Sequence, residues 1–128
     1  AGLDLGTQSP KTLRWAAAMA AQCGARLTII HAAASGATPA GAPVEGDWAR
    51  QITERALDEV EALKRTLGVE AEVVVETGEP PQVVCALAKR LPAQLLVIGR
   101  GSAAGVFGRL RTNAYAIIRQ SPCPVVSV

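Results

Sequence analysis

Residues 26–33, RLTIIHAA, decide the fold class of this 128-residue chain. Apolar side chains occur on both faces of this short segment, which is typical of a parallel strand that is buried on both sides. Residues 94–98, QLLVI, and residues 124–128, PVVSV, repeat the pattern further along the chain. Because helical periodicity separates these segments, the sequence predicts an α/β fold.

The predicted elements alternate strictly between strand and helix. Strands are expected at residues 3–5, 26–33, 70–77, 94–98 and 124–128. The first helix opens with Ser9 as N-cap and Pro10 as first helical residue, and Gly24 ends it. The second spans residues 45–67 and has one apolar stripe, formed by Trp48, Ile52, Ala56, Val60, Leu63 and Leu67. The third follows Pro80 and ends at Pro92, and the fourth spans residues 112–120.

This alternation predicts a doubly wound, five-stranded parallel sheet with helices on both faces, for which we expect the strand order 3-2-1-4-5. We expect a single domain over residues 1–128. The first residue is Ala1 and residues 1–4 read like the second half of a strand, so the first strand is expected to be truncated at its N-terminus. The sequence leaves open whether a twin domain precedes it.

Composition excludes several classes of function. No apolar run approaches the roughly 18 residues of a membrane span, and no secretory signal is visible. The three cysteines, Cys23, Cys85 and Cys123, have wide spacings and the chain has one histidine, His31, so no metal site is expected. The thiols are interpreted as buried and free, as in a cytoplasmic protein. The few aromatic residues form no stacking platform for nucleic acid.

Charge is unevenly distributed although the net charge is only +2. The chain through Glu79 has seven basic and eleven acidic residues, net −4, and the remainder has six basic residues and no acidic ones, net +6. A basic C-terminal third would attract phosphate. The alternative is a solvated basic face on two helices, and charge alone favours this alternative.

Two segments are predicted to meet at the carboxyl ends of neighbouring strands. They are Asp4, after the first strand, and the glycine-rich loop that starts at Gly99 and Arg100. In an open parallel sheet, ligands bind where the strand order reverses. Glycines and the N-terminus of the last helix, capped by Thr112, would offer N–H donors to phosphate. Asp4 would face the base or the ribose, or it would instead bond the backbone of its own loop.

These residues resemble the universal stress protein family over nearly the whole chain. The resemblance is carried by residues 3–6 and 13–16, by residues 24–31, by residues 95–99 and by the ending at residues 118–126. It implies an adenine nucleotide α-hydrolase-like fold. It also implies binding of ATP or another adenine nucleotide, with Mg²⁺ only together with ATP. Asp4 matches the acidic residue of the family's binders, and Ala32 and Ile98 match positions beside the base.

The family's loop motif is altered in this chain. The motif has a glycine, two residues, a glycine, nine residues, a glycine, and then Ser or Thr. Here Arg100 alone separates Gly99 from Gly101, and Arg111 stands at the third glycine position before Thr112. Arg111 either clasps phosphate or fills its pocket. The nucleotide-binding residues that the resemblance implies are Asp4, Ala32, Ile98, Gly99, Arg100, Gly101, Arg111, Thr112 and Asn113.

Three functions are therefore weighed for the chain. The first is a nucleotide-binding stress-response or signalling module in the cytoplasm. The second is a member of the family that binds no nucleotide and acts by dimerisation and protein contacts. The third, a weak ATPase, is disfavoured because no general base is evident and His31 is interpreted as a buried, satisfied imidazole.

The last strand is expected to be a sheet edge that invites pairing. Similar family members dimerise through this strand, so the resemblance implies a homodimer through Val125, Val126 and Val128. A charge or a proline at Val126 is expected to give monomers. A further protein partner is conceivable, whereas nucleic acid and membrane partners are not expected.

Overall fold

Five parallel strands form one sheet in the order β3-β2-β1-β4-β5, which confirms the predicted topology. The computed structural model describes residues 1–34, 46–100 and 109–128, and the side chains of residues 109–112 are not included. The strands are β1 (Gly2–Leu3), β2 (Thr28–Ala33), β3 (Glu72–Thr77), β4 (Leu96–Ile98) and β5 (Val125–Ser127). Because β1 lies between β2 and β4, the strand order reverses beside it.

Four helices connect the strands: α1 (Ser9–Cys23), α2 (Asp47–Leu67), α3 (Pro80–Arg90) and α4 (Arg109–Gln120). Gly24 and Gly68 end α1 and α2 in the left-handed conformation, with φ of 60° and 63°. A residue without Cβ adopts this conformation at little cost, so the predicted helix ends are confirmed at both glycines.

The two faces of the sheet have separate cores. Neighbouring residues of a strand point to opposite faces, and Ile29 and Ile30 of β2 accordingly belong to different clusters. The closed-face core, as we name it, packs under α1 and α2 and contains Leu3, Leu13, Ile29 and Val60. The cavity-face core packs under α3 and α4 and contains Ile30, Val83, Val84, Leu87, Leu96, Ile98 and Ile117. All three residues of β4 are accordingly buried, whereas those of β5, at the edge of the sheet, are half-buried.

Both predicted helix N-caps, Ser9 and Thr112, are wrong. Ser9 is the first residue of α1 rather than its N-cap, and its hydroxyl donates to Asp4. Gln8 stands at the N-cap position and makes no side-chain capping bond. The last helix begins at Arg109, so Thr112 lies in its first turn rather than at its cap. Hydroxyl residues near a helix start are common at several positions, and the sequence pattern does not separate the cap from the first turn.

Two burial predictions are also wrong. Trp48 lies in the first turn of α2 and is 51% exposed, although it was expected on the apolar stripe with Ala56 and Val60, which are buried. Cys23 is exposed at the last residue of α1, whereas Cys85 and Cys123 are half-buried. All three thiols are free. In both corrected cases the residue lies at the end of a helix, where the periodic pattern continues beyond the surface that the sheet covers.

Some predictions concern residues outside the described part of the chain. These are the loop at residues 34–43, apart from Ala34, the helix start at Glu45, and the centre of the glycine-rich loop. Within the described residues, no helix has both the length and the apolar character that a membrane crossing requires.

Candidate functional site

A cavity of about 220 Å³ opens at the carboxyl ends of β1, β2 and β4. The strand ends contribute Gly2, Leu3, Asp4, His31, Ala32, Ile98 and Gly99, and the helices contribute Pro80, Val84, Asn113, Ala114 and Ile117. The cavity thus lies at the point where the strand order reverses, which is where doubly wound sheets bind ligands. Its wall is mostly apolar, with few polar groups, as in pockets for small molecules.

Asp4 follows β1 directly and carries the carboxylate of the cavity. Its Oδ1 accepts hydrogen bonds from the Gly6 backbone N–H and from the Ser9 hydroxyl, both at 2.9 Å. The alternative that Asp4 bonds its own loop is therefore seen in the structure. Within the described residues Oδ2 has no hydrogen-bond partner, and the Asp4 side chain is exposed. One carboxylate oxygen thus orders the loop, and the other faces no described donor.

Leu5 gives the loop after β1 its sharp turn. Its φ is 57°, which makes it the one non-glycine residue with a left-handed backbone in the described chain. This conformation costs a residue with a Cβ about 1–2 kcal/mol. The Leu5 side chain packs against the closed-face core, and the turn brings the Gly6 N–H back to the Asp4 carboxylate. Packing and hydrogen bonding together offset the strain.

His31 lines the same cavity and was not among the predicted site residues. Its Nδ1 lies 2.8 Å from the carbonyl oxygen of Leu3, the last residue of β1. A carbonyl oxygen only accepts, so Nδ1 carries the proton and donates. The side chain is half-buried rather than buried, but its hydrogen bond is the satisfied one that the sequence suggested. The signal in the sequence that could have indicated His31 as a cavity residue is its position on β2, directly before the predicted site residue Ala32.

The first two residues of the glycine-rich loop have different surroundings: Gly99 lies at the cavity and Arg100 at the edge of the sheet. Gly99 lines the cavity, whereas Arg100 is exposed and is not part of the wall. The Arg100 backbone N–H donates to the carbonyl of Val128 at 3.0 Å and so extends the pairing of β4 with β5. That N–H is therefore not free to bind an anion. This differs from the expectation that the backbone N–H groups here would face phosphate.

The predicted site residues are thus only partly brought together. Asp4, Ala32, Ile98, Gly99 and Asn113 line the cavity. Gly101 lies outside the described residues, and so do the side chains of Arg111 and Thr112, whose backbone belongs to α4. Apolar wall residues on α3 and α4 were missed because only the packing of helices on the sheet brings them there. Pro80 after a strand and Asn113 early in a helix are weak signals by themselves.

The cysteines lie apart from the polar end of the cavity. The Cys85 thiol packs beside the cavity-face core, 3.8 Å from the carbonyl oxygen of Ile117. Burial raises its pKa, and the charge of Cys123 raises it further. Among the residues described, no group of three or more His, Cys, Asp or Glu side chains could hold a metal ion.

The family model of the universal stress proteins matches residues 1–128. The chain belongs to this family. A comparison with curated protein sequences found no match. As a universal stress protein, the chain has the doubly wound architecture described above over its matched length.

Three solved structures illustrate the similarity. The universal stress protein UspA from Lactobacillus plantarum is 19% identical, with a TM-score of 0.80 and coverage of 99% of this chain and 93% of that one. A universal stress protein in complex with cAMP is 24% identical, with a TM-score of 0.64 and coverage of 99% and 92%. A family member from Arabidopsis thaliana with AMP bound is 22% identical, with a TM-score of 0.57 and coverage of 92% and 74%. At these identities the likeness shows the fold.

Proposed function

We propose that this universal stress protein binds an adenine nucleotide in the cavity and acts as a stress-response or signalling module in the cytoplasm. The observation that carries the proposal is the Asp4 carboxylate at the end of β1, which lines the cavity, with Oδ1 committed to its loop and Oδ2 without a hydrogen-bond partner among the described residues. The bound cAMP and AMP of two structural relatives support the same class of ligand.

The chemistry of the wall fits the base and the ribose. Ala32, Ile98, Val84 and Ile117 offer apolar surface for a flat ring. A carboxylate oxygen accepts a hydrogen bond from a ribose hydroxyl or an exocyclic amine, and it would repel a phosphate. The phosphates would therefore extend away from Asp4 toward the basic segment 99–112, as the family resemblance implies.

The proposal assigns no catalytic step to the chain. Ser9 donates its hydroxyl proton to the Asp4 carboxylate, but this buried hydroxyl does not line the cavity, and the hydrogen bonds of the described residues join no nucleophile to His31. Mg²⁺ would enter only together with ATP, held by its phosphates. The nucleotide then acts as a bound signal whose presence changes what the protein contacts.

The test is calorimetric titration with AMP and with ATP of the wild type and Asp4→Asn. Asparagine keeps an acceptor oxygen for Gly6 and Ser9 but replaces Oδ2 with an NH₂ group, which only donates. Losing a charge-assisted bond weakens binding by roughly 10- to 100-fold. Asp58→Asn, on the exposed side of α2, is the matched control and leaves affinity unchanged. A wild type that binds neither nucleotide at millimolar concentration refutes the proposal.

Arg111→Gly separates the two roles considered for Arg111. If the guanidinium clasps phosphate, the variant binds ATP more weakly, and its affinity for AMP changes less. If it fills the phosphate pocket, the variant binds ATP more tightly than the wild type. The second outcome, together with no binding by the wild type, would favour the family member that binds no nucleotide.

We also propose that the chain forms a homodimer through the open edge of β5, where Val125, Val126 and Val128 are half-buried. In the described sheet β5 pairs with β4 alone. The Pro124 carbonyl and the Val128 N–H point toward β4. Because backbone groups alternate along a strand, the N–H groups of Val125 and Ser127 point to the open edge.

This alternation selects the variant that tests the dimer. Proline at Val126 would remove an N–H that faces β4 and would damage the sheet itself. Ser127→Pro removes an N–H at the open edge, and Ser127→Ala is its control. Multi-angle light scattering is expected to show a dimer for the wild type and Ser127→Ala and a monomer for Ser127→Pro. A monomeric wild type contradicts the proposal.

A further inference from the structure

We propose that His31 is a positioning residue, which fixes the end of β1 so that Asp4 presents its carboxylate to the cavity. The contact that carries this inference joins His31 Nδ1 to the Leu3 carbonyl oxygen at 2.8 Å, one residue before Asp4. The role in ligand binding rests on the proposed nucleotide-binding function, whereas the effect on the loop does not.

The end of β1 has few other constraints. The strand is two residues long, and Leu3 pairs only with His31 of β2, since the pairing with β4 is through Gly2. The chain then turns through the strained Leu5 at φ 57°. A side-chain hydrogen bond from the paired strand therefore takes over where the backbone ladder stops. It holds the residue from which Asp4 projects.

The loop bonds of Asp4 depend on this arrangement. Gly6 N–H and Ser9 Oγ–H reach the carboxylate only if Leu3 and Asp4 hold their direction at the strand end. Without the bond to His31, the Leu3 carbonyl would turn toward water, and the strained turn at Leu5 would have less to stabilise it. The Asp4 carboxylate would then occupy several orientations, of which one suits a ligand.

Two substitutions, His31→Asn and His31→Gln, test which ring nitrogen of His31 is needed. The amide nitrogen of asparagine lies as many bonds from Cα as Nδ1, and that of glutamine as many as Nε2. If the bond to Leu3 is what counts, His31→Asn preserves the function and His31→Gln does not. If His31 instead contacts the ligand through Nε2, glutamine is the better replacement. His31→Phe keeps a ring and removes both nitrogens.

The binding experiment is a double-mutant cycle with Asp4→Asn, read by calorimetric titration with AMP. His31→Phe and His31→Gln are expected to weaken AMP binding about three- to tenfold, and His31→Asn to remain within about twofold of the wild type. In the Asp4→Asn background, His31→Phe is expected to have no further effect, because it acts through Asp4. Additive losses in the cycle, or rescue by glutamine rather than asparagine, overturn the positioning role.

A second measurement needs no ligand. The Gly6 amide donates to Asp4 Oδ1, so its solvent-exchange rate by NMR reports how well the carboxylate is held. We expect exchange to be at least about threefold faster in His31→Phe and restored in His31→Asn. An unchanged Gly6 amide in His31→Phe refutes the inference, even if the wild type binds AMP. A wild type that binds no AMP, with the expected change at Gly6, refutes the proposed function alone.

Thermal unfolding of each variant shows whether it is folded, so that unfolding is not mistaken for a change in AMP affinity or in Gly6 exchange. All titrations and exchange measurements are made at a temperature where every variant is folded. Ile29→Val, in the closed-face core of the same strand, serves as the stability control. It is expected to lower stability without changing either AMP affinity or Gly6 exchange. An Ile29→Val variant that reproduces the His31→Phe pattern would mean that general loosening of β2, and not the Leu3 contact, is responsible.

Discussion

The two faces of the sheet are built from similar apolar residues, but a cavity opens at the carboxyl ends of the strands on one of them, whereas the pocket described on the other face, of about 580 Å³, lies at the amino ends of β2 and β3. On the closed face, Leu13, Ile29 and Val60 are completely buried and large. On the cavity face, small residues line the cavity, namely Gly2, Ala32, Gly99 and Ala114. Small side chains at the carboxyl edge therefore leave room for the cavity on this face.

Polar groups show the same division. The cavity edge holds Asp4, His31 and Asn113, whereas the closed-face core is apolar in its described members. Buried Ser9 and Thr12, at the start of α1, are hydrogen-bonded to Asp4 and to the Gln8 carbonyl. Both cores contain fully buried residues, including Leu87 and Leu96 on the cavity face, so the two faces differ at the carboxyl edge rather than in their packed interiors.

The largest expected effect is on the closed face. Leu13→Ala, at a side chain with no exposed surface, is expected to lower the free energy of unfolding by about 2–5 kcal/mol, because it leaves a cavity in a packed core. Urea denaturation measures the loss. Leu57→Ala, on the exposed side of α2, is the control, with a loss below about 1 kcal/mol. AMP affinity of the folded Leu13→Ala protein should equal that of the wild type, and a changed affinity would contradict the division between faces.

A smaller effect on stability, with a clear effect on binding, is expected on the cavity face. Ala114→Leu adds three carbons to the wall and keeps helix propensity, so stability should change by less than about 1 kcal/mol. AMP affinity should fall more than about tenfold by calorimetry, since the added side chain occupies the space of the ligand. Ala86→Leu, exposed on α3, is the matched control. If Ala114→Leu binds AMP normally, the ligand lies elsewhere.

The smallest effect concerns the reaction rates of the thiols, and it involves no change in the fold or in AMP affinity. Cys23 at the end of α1 is exposed, whereas Cys85 packs beside the cavity-face core with a raised pKa. Because the thiolate is the reactive form, Cys85 should react with a disulfide reagent at least about tenfold more slowly than Cys23 near neutral pH. Its rate should rise with pH above neutrality, because burial raises the pKa of the Cys85 thiol. Single-cysteine variants measure both rates, and equal rates would mean that the cavity face opens readily.

Much of the fold could be predicted because its signals are local. The runs around Ile29 and Val97 identify buried strands, and Gly24 and Gly68 end helices for a conformational reason that depends on no distant contact. Predictions failed where a local pattern has two outcomes. Ser9 caps a helix in many sequences, but here its hydroxyl bonds Asp4, and Trp48 follows the apolar period beyond the surface that the sheet covers.

The candidate site was predictable in its strand-end residues and not in the others. Asp4 and Gly99 follow from the rule that ligands bind at the carboxyl ends of adjoining strands, whereas Ala32 and Ile98 were expected from the family resemblance. Val84, Ala114 and Ile117 carry no chemistry that would mark them, and they reach the cavity only through the packing of α3 and α4.

The sequence by itself determined the alternation of strands and helices, and hence the parallel sheet, because hydrophobic periodicity and helix ends are properties of neighbouring residues. The resemblance of several segments indicated the family, and the strand order was an expectation that the structure confirms. Only the tertiary structure decided that Asp4 shares one oxygen with its loop, that His31 holds the end of β1, and that the Arg100 N–H belongs to the sheet edge. Each of these contacts joins atoms whose separation depends on how the chain turns or on strands distant in sequence. A linear pattern names the side chains, but the hydrogen-bond partners follow from the packing.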